Sequence, residues 1–206
     1  MKPADTRHPG RRQRPPLARR AIGLLCALAS IPLLPAAGVA DPGAVEKEVP
    51  LLLKILTYDR ALDDRVADTL TVSVLYKEGD RISKESAGDV YKVLESYTNK
   101  TLAGRPLASR LVPIDEKIVL RVLLDSLPSG AFYLSSGLED QLQTILDVSR
   151  RAGVATLTGT GLYVYSGASV CVSSDVEHPV VINLQASRAE GIDFDARMLR
   201  LFHVIE

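Results

Sequence analysis

The sequence has few of the residues from which disulfides and metal centres are built. It contains two cysteines, Cys26 and Cys171, and three histidines in 206 residues. Cys26 lies in an apolar N-terminal segment, and Cys171 alone cannot form a disulfide within one chain. The surrounding "ASVCVSS" alternates like a strand, which favours a buried structural thiol over an intermolecular disulfide. Because His178 and His203 are the histidines that follow residue 40, no metal site is predicted.

The motifs that mark common catalytic and cofactor sites are also missing. In the loop "TLTGTGLYVYSG", Gly159 and Gly161 fit the first two positions of a dinucleotide fingerprint, but Val164 occupies the third. No P-loop lysine follows, and the G-x-S-x-G elbow of serine hydrolases does not occur. The sequence therefore predicts no catalytic residue and no cofactor, and it favours a non-enzymatic protein.

The first 40 residues have the pattern of a secretory signal peptide. Seven basic residues and one acid lie within residues 1–20, and the apolar run "AIGLLCALASIPLLPAAGVA" then ends in small residues. This pattern predicts export and cleavage near Ala40, and hence a periplasmic protein. A retained transmembrane anchor is the alternative, since the run is long enough to span a bilayer, but Pro32 and Pro35 interrupt it. Paired arginines before the run leave the general secretory and twin-arginine routes open.

The rest of the chain has no basic patch for nucleic acid. The whole sequence balances 25 basic against 25 acidic residues. Removing the seven basic residues and one acid of the leader leaves 18 against 24, a net charge near −6. Since phosphate binding depends on clustered lysine and arginine, we do not expect a nucleic-acid partner.

What the sequence does contain is a series of apolar strands and amphipathic helices. Short β-branched runs predict strands, and apolar residues at i, i+3, i+4 and i+7 predict the helices between them. The predicted strands are residues 69–76, 110–115, 131–136, 154–159, 168–174 and 179–185. The predicted helices are residues 44–57, 83–99, 116–126, one that ends before Gly153, and a closing helix after residue 192.

Polar residues at two of these helix starts are interpreted as caps. Ser136 and Glu139 form a capping-box pattern before an apolar helix face, and Gly153 suits the end of that helix. Asp193 is the predicted cap of the closing helix. The apolar stripe of that helix consists of Met198, Leu201, Phe202 and Ile205.

Strands that alternate with helices predict an α/β fold. We expect three layers, with a mostly parallel sheet flanked by helices in a Rossmann-like arrangement. About four polar residues join the last two strands, too few for a parallel crossover, so the sheet has a mixed edge near the C-terminus. Residues 41–206 are the size of a single domain.

The chain resembles the YfiR-type family of secreted bacterial proteins over about residues 50–205, most clearly after residue 130. The resemblance is carried by "AFYLSSGLEDQLQTIL", "GVATLTG" and "SGASVCVSSDVEHPVVINLQASRAEGIDFDARMLRLFHVI". The family pattern has two strands that end in small polar residues, a glycine before a strand hairpin that ends in asparagine, and a closing helix. Here its positions are held by Ser135, Thr158, Gly167, Asn183, Ala186 and Ala189, followed by "MLRLFHVI".

The resemblance implies a small periplasmic α/β domain related in architecture to one lobe of a periplasmic binding protein. It also implies a regulatory role in which the protein binds a membrane signalling partner, such as an inner-membrane diguanylate cyclase, and lowers cyclic-di-GMP signalling. The cysteine pairs of some family members are absent here, so a redox-sensing role is not carried over. The oligomeric state is left open, with a homodimer as one option.

The alternative function is that of a single-lobe protein that binds a small polar ligand for a transporter or sensor. Open α/β sheets bind ligands beyond the carboxyl ends of their strands. In this sequence those ends carry short groups that donate and accept hydrogen bonds. The predicted ligand or partner crevice consists of Tyr76, Ser135, Ser136, Thr158 and Thr160.

Overall fold

Strands and helices alternate along the chain in the computed structural model, which describes residues 42–115, 128–174 and 177–206. The strands are β1 (Leu70–Lys77), β2 (Thr101–Leu102), β3 (Arg105–Ile114), β4 (Ala131–Leu134), β5 (Ala155–Thr158), β6 (Val170–Val172), β7 (Val180–Asn183) and β8 (His203–Ile205). The helices are α1 (Pro42–Leu56), α2 (Leu62–Arg65), α3 (Arg81–Glu95), α4 (Leu142–Ala152), α5 (Gly161–Tyr165), α6 (Leu184–Ala189) and α7 (Ala196–Leu199). The predicted signal peptide and the predicted helix over residues 116–126 lie outside the described ranges.

The strands form one sheet in the order β2-β3-β1-β4-β5-β6-β7-β8. Strands β3, β1, β4, β5 and β6 are mutually parallel. Strand β7 runs antiparallel to β6, β8 is parallel to β7, and β2 is antiparallel to β3. The predicted mostly parallel α/β sheet with a mixed C-terminal edge is therefore confirmed. The strand order reverses between β1 and β4, which is the topological switch point of such a sheet.

Helices cover both faces of the central strands. On β4, Phe132 packs with Leu142 and Ile145 of α4 in one buried cluster, whereas Tyr133 packs in the cluster that holds the apolar faces of α1 and α3. Successive side chains of a strand point to opposite faces, so β4 contributes to both layers of the core. This double burial explains why the sequence of β4 is a continuous apolar run. None of the described helices has both the length and the apolar character needed to cross a membrane.

The predicted capping box before α4 is wrong. The helix begins at Leu142, and its N-cap residue, Gln141, makes no capping hydrogen bond through its side chain. The Leu138 amide donates to the Tyr163 hydroxyl (2.9 Å), which in turn donates to Glu139 Oε1 (2.9 Å). Glu139 thus bonds across to α5 instead of capping α4. The predicted end of the helix is correct, because Gly153 is its C-cap at φ 65°.

The region around residue 104 forms a hairpin that precedes the predicted strand. Strands β2 and β3 pair through a turn with positive φ at Ala103 (49°) and Gly104 (78°), the geometry of a tight hairpin. Strand β3 pairs with β1 from Leu107 to Ile114 and is longer than predicted. Pro113 is tolerated because β1 is the one described strand that pairs with this part of β3.

The predicted closing helix is also wrong. Helix α7 has four residues, and the chain then enters β8, which pairs with β7 from His203 to Ile205. Leu201, predicted on the buried stripe, is 74% exposed. The cap of α7 is Asp195, whose carboxylate accepts from the Arg197 amide.

Candidate functional site

The carboxyl ends of the parallel strands form one edge of the sheet, and the five predicted crevice residues all lie there. Tyr76 belongs to the end of β1, and Thr158 is the last residue of β5. Ser135 and Ser136 follow β4 directly, and Thr160 is the N-cap residue of α5. Their common placement at this edge follows from the parallel pairing of β1, β4 and β5.

Two of the five residues hold the strand ends together. The Ser135 hydroxyl donates to the Leu75 carbonyl at 2.7 Å, and the Thr158 hydroxyl donates to the Leu134 carbonyl at 3.0 Å. The Thr158 hydroxyl also accepts from the Thr160 amide at 3.0 Å. Both side chains are fully buried, so their hydrogen-bonding groups serve the fold and not a ligand.

The hydroxyls of Ser136 and Thr160, unlike those of Ser135 and Thr158, are partly accessible and are not used in hydrogen bonds of the described part of the fold. Both residues are half-buried, and neither side chain has a hydrogen-bond partner within the described residues; Thr160 makes no capping bond in particular. Tyr76 is half-buried against the core cluster of α1 and α3. The accessible polar groups of the predicted crevice are therefore those at the ends of β4 and β5.

The switch point itself is filled by the first turn of α3. Ser83 Oγ accepts from the Lys77 amide at 2.9 Å and lies 3.1 Å from Ser135 Oγ. The Ser83 amide in turn donates to the N-cap carboxylate of Asp80 at 2.9 Å. Gly137, at φ 87°, lies so close that a Cβ on it would be 3.2 Å from the Ser83 Cβ. The accessible part of the edge is thus displaced toward β5 and β6.

A group of residues that sequence analysis did not identify converges at this displaced position. Glu48 of α1 accepts hydrogen bonds through Oε1 from the Ser174 amide (2.9 Å) and hydroxyl (3.2 Å). A Cβ placed on Gly159 would lie 3.0 Å from Tyr133 Oη and 3.4 Å from Glu48 Oε2. We call Glu48, Tyr133, Gly159 and Ser174 the edge cluster. Its members come from α1, β4 and the segments after β5 and β6.

The sequence gives little indication that Glu48 is a functional residue. Glu48 lies on the same side of α1 as Val45, Val49 and Leu52, residues whose spacing is fully explained by packing on the sheet. A single carboxylate on such a stripe gives no information about its partners, which lie from 85 to 126 positions further along the chain. Only the fold brings these groups together.

Burial and charge keep the other titratable members of this region protonated. Burial raises the pKa of Tyr133 well above its ordinary value, the negative charge of Glu48 raises it further, and a hydrogen bond with the Gly159 backbone acts in the opposite direction. The same two causes, burial first, raise the pKa of Cys171 to about 12. Cys171 is fully buried in β6, so it is a structural thiol and not an activated nucleophile.

The edge cluster is suited to binding. It contains a half-buried carboxylate and a buried neutral phenol, which pack so closely around Gly159 that a side chain there would be crowded. Within the described ranges, no group of three or more histidine, cysteine, aspartate or glutamate side chains is arranged to hold a metal ion. The groups of the cluster accept and donate hydrogen bonds.

No protein-family model matches the chain, and no curated protein matches it in sequence. Solved structures do match its fold. An ABC domain from Streptococcus pneumonia in complex with L-Trp matches with a TM-score of 0.53 at 16% identity, and a conserved domain protein from Vibrio cholerae matches with 0.54 at 14%. Each match covers 79% of this chain and 60% of the other. The ligand-free, open structure of a Clostridium difficile substrate-binding protein with adhesive properties gives 0.50 at 12%, with 71% and 57% covered.

The likeness to these structures concerns the fold alone, a mostly parallel sheet flanked by helices. This chain spans about 60% of the length of the neighbours that it matches. At 12–16% identity no residue correspondence is carried over. The edge cluster is therefore argued from the geometry of this chain alone.

Proposed function

We propose that this protein is a single-lobe, non-enzymatic binding protein that takes a small polar ligand at the carboxyl edge of its sheet. The observation that carries the proposal is the half-buried Glu48 carboxylate, which lies with the Tyr133 hydroxyl close to Gly159 and has an oxygen, Oε2, without a hydrogen-bond partner among the described residues. Ligands of open α/β sheets bind outside the carboxyl ends of the strands, and this cluster lies there. The signal-peptide pattern of residues 1–40 supports a periplasmic location.

The chemistry of the edge cluster selects a ligand that carries hydrogen-bond donors. Glu48 has one oxygen bound to Ser174, and within the described residues its other oxygen, Oε2, has no hydrogen-bond partner. A free carboxylate oxygen accepts from an amino or hydroxyl group of a ligand, and the bond is stronger when the donor is charged. The hydroxyls of Ser136 and Thr160 provide further polar contacts along the same edge. We therefore expect an amine or a polyhydroxyl compound.

The comparisons support binding over catalysis. One structural neighbour is described as a substrate-binding protein, and another was solved with L-Trp bound. These descriptions concern those proteins, and their ligands are not transferred to this chain. Both descriptions support a fold whose strand ends and loops bind a ligand and do not catalyse a reaction.

A thermal-shift screen tests the proposal. A ligand that binds only the native state at a hundred times its Kd stabilises by about 2.7 kcal/mol, which corresponds to a rise in Tm of about 5–10 °C for a domain of this size. Amino acids, polyamines and sugars form the test set.

The substitution Glu48→Gln keeps an acceptor for Ser174 but removes the charge, so it should abolish the rise in Tm that an amine ligand causes. Glu46→Gln, on the exposed side of the same helix, is the matched control. Absence of any stabilising compound would count against the proposal.

A second candidate is regulation of a membrane signalling protein, such as an inner-membrane diguanylate cyclase, with a consequent decrease in cyclic-di-GMP. A specific feature favours it: Leu162 and Tyr165 lie three residues apart on α5 and are 64% and 58% exposed. Exposed apolar side chains on one helix face are typical of protein contacts. They lie just beyond the carboxyl end of β5, next to the edge cluster.

Co-purification from membranes distinguishes this second function from the first. A tagged protein should retrieve the cyclase, and Leu162→Ser combined with Tyr165→Ser should prevent this. Leu201→Ser, which alters an exposed leucine elsewhere on the surface, should not. Recovery of no envelope protein above background, or equal recovery by all variants, would contradict the regulatory function.

A further inference from the structure

A depression of about 340 Å³ lies at the opposite edge of the sheet, beside the amino ends of β5 and β6. It is bounded by the end of α4, the loop before β6 and helix α6. Its volume is at the lower end of the range in which small ligands are bound. Its lining residues are Arg150, Gly167, Asn183, Gln185, Ala186 and Ala189.

Arg150 is the charged side chain that lines this depression, and its guanidinium is poorly satisfied. Nη2 donates to the Gly167 carbonyl at a long 3.4 Å, and Nε is buried without a hydrogen-bond partner. No carboxylate pairs with Arg150 in the part of the chain that the structure describes, whereas the buried Arg65 is paired with Asp59. A buried donor without an acceptor destabilises the fold unless a bound group satisfies it.

Gly167 is required for this placement of the guanidinium. It has φ 113°, a conformation that other residues rarely adopt, and a Cβ on it would lie 2.7 Å from Arg150 Nη2. The cation therefore lies against bare backbone, where it is held in place without being neutralised. Any side chain at residue 167 would displace it.

The remaining groups around the depression divide into those already bonded and those free. The Asn183 side chain accepts from the Ala186 amide (2.9 Å) and donates to the Val164 carbonyl (3.1 Å), so the fold holds it in place. Gln185 is exposed, and its amide has no hydrogen-bond partner among the described residues. Ala186 and Ala189 are small and leave the space open. Arg150 and Gln185 therefore provide donors at the depression.

The buried acid next to the depression does not serve as the counter-ion. Glu190 follows Ala189, but its carboxylate accepts from the Thr156 amide (2.9 Å) and hydroxyl (2.7 Å) and from two serine hydroxyls. It is directed into the core and has no bond to Arg150. The positive charge of the depression is therefore uncompensated by the surrounding described groups.

We propose that this depression binds a small anion through a carboxylate or phosphate group, with Arg150 as its main ligand-binding residue. A guanidinium donates from a planar fork that matches both kinds of oxyanion. The bound group provides the anionic partner that Arg150 lacks among the described residues, and the Gln185 amide adds a second donor. The site is separate from the edge cluster, which presents a carboxylate and selects donors.

Titration of the ¹⁵N-labelled protein with inorganic phosphate and, separately, with succinate tests this site. Sodium chloride keeps the ionic strength constant, because screening otherwise changes with the titrant. We expect saturable shifts of the amide signals of Gly167, Gln185 and Ala186 with at least one of the two anions. Arg150→Gln should weaken that binding about tenfold, the value for loss of a charge-assisted hydrogen bond. Arg151→Gln, the exposed neighbour on the same helix, should keep the affinity within about twofold.

Each outcome is decisive. Saturation by phosphate alone assigns a phosphate-bearing ligand, and saturation by succinate alone assigns a carboxylate-bearing one. Lack of saturation with both anions, or equal weakening by Arg150→Gln and Arg151→Gln, would overturn the proposal. If circular dichroism shows that Arg150→Gln does not fold, Arg150→Lys replaces it, since lysine keeps the charge but loses the fork; unchanged affinity in that variant would equally overturn the proposal.

Discussion

At the scale of single residues, Glu190 is a carboxyl group inside the core without a cation. Ser149 has one hydroxyl hydrogen for two acceptors, the Leu146 carbonyl at 2.8 Å and Glu190 Oε1 at 2.9 Å. The single Ser149 hydrogen therefore cannot satisfy both acceptors at once. Burial raises the pKa of Glu190, while hydrogen bonds from Ser169, Thr156 and Ser149 oppose the change.

The raised pKa predicts a pH-dependent stability. The folded protein holds the Glu190 proton more tightly than the unfolded chain, so this stabilising contribution is complete below the ordinary glutamate pKa of about 4.3. It is lost as pH rises through the folded-state pKa. Relative to the neutral variant Glu190→Gln, the wild type should therefore become less stable between acidic and neutral pH. Urea denaturation of both proteins across this range measures the difference, and a difference independent of pH would contradict the raised pKa.

A second prediction concerns the buried pair of Asp59 and Arg65. The two side chains are 0% and 8% exposed, and the Asp59 carboxylate also accepts from the amides of Ala61 (3.0 Å) and Asp193 (2.9 Å). Asp59→Ala would leave Arg65 charged and unpaired in the interior. We expect a loss of about 3–5 kcal/mol in the free energy of unfolding.

The neighbouring exposed pair provides the control for that measurement. Arg60 and Asp193 are bonded at 2.8 Å but are 61% and 57% exposed. Exposed pairs contribute little, so Arg60→Ala should barely move the urea midpoint. Similar midpoints for Asp59→Ala and Arg60→Ala would show that burial does not decide the value of these pairs.

For single residues, the sequence predicted where a side chain lies in the fold but not which groups it contacts. It placed Ser135, Thr158 and Thr160 at the strand ends, because strands are visible as short apolar runs. It did not find Glu48 or Glu190, since the value of each depends on groups far away in the chain. A buried polar network has no periodic signature.

At the scale of elements, the helices and strands with strong periodicity were predictable. The predicted helix over residues 44–57 is observed as Pro42–Leu56, and the predicted strand over 69–76 is observed as Leu70–Lys77. The tight β2–β3 hairpin and the short helices α2, α5 and α6 were missed. Elements of two to six residues are too short for a repeat to be visible.

The C-terminal segment shows how periodicity misleads. The apolar spacing of "MLRLFHVI" fits a helix, but its last residues are taken by pairing with β7, and His203 stacks on His178 with ring centroids 4.1 Å apart. The β-branched residues Val204 and Ile205 suit a strand. Tertiary pairing therefore outweighs local spacing in this segment.

Two substitutions distinguish the strand from the predicted helix. Ile205 packs on Val164, Cys171 and Val181, so Ile205→Ser should lower the free energy of unfolding by about 1–2 kcal/mol. Leu201 is exposed in the structure, and Leu201→Ser should have little effect. Chemical denaturation measures both. A helix with Leu201 on its buried stripe would give a large loss for Leu201→Ser, which would contradict the observed strand.

At the scale of the whole molecule, the α/β fold places two groups of residues with opposite charge at opposite edges of one sheet. The carboxyl edge presents the Glu48 carboxylate beside Tyr133, and the amino edge presents the guanidinium of Arg150. The fold class was predictable from the alternation of strands and helices. The edge cluster was not, because its four residues come from separate segments that only the sheet order brings together.

The central claim is that a small polar ligand binds at the carboxyl edge. Nuclear magnetic resonance of the ¹⁵N-labelled protein, titrated with the strongest stabilising compound from the thermal-shift screen, tests it most directly because it locates the ligand. We predict that the largest shifts fall on the amides of Glu48, Ser136, Gly159, Thr160 and Ser174, and that Glu48→Gln removes them. Shifts confined to other parts of the sheet, or unchanged by Glu48→Gln, would contradict the claim.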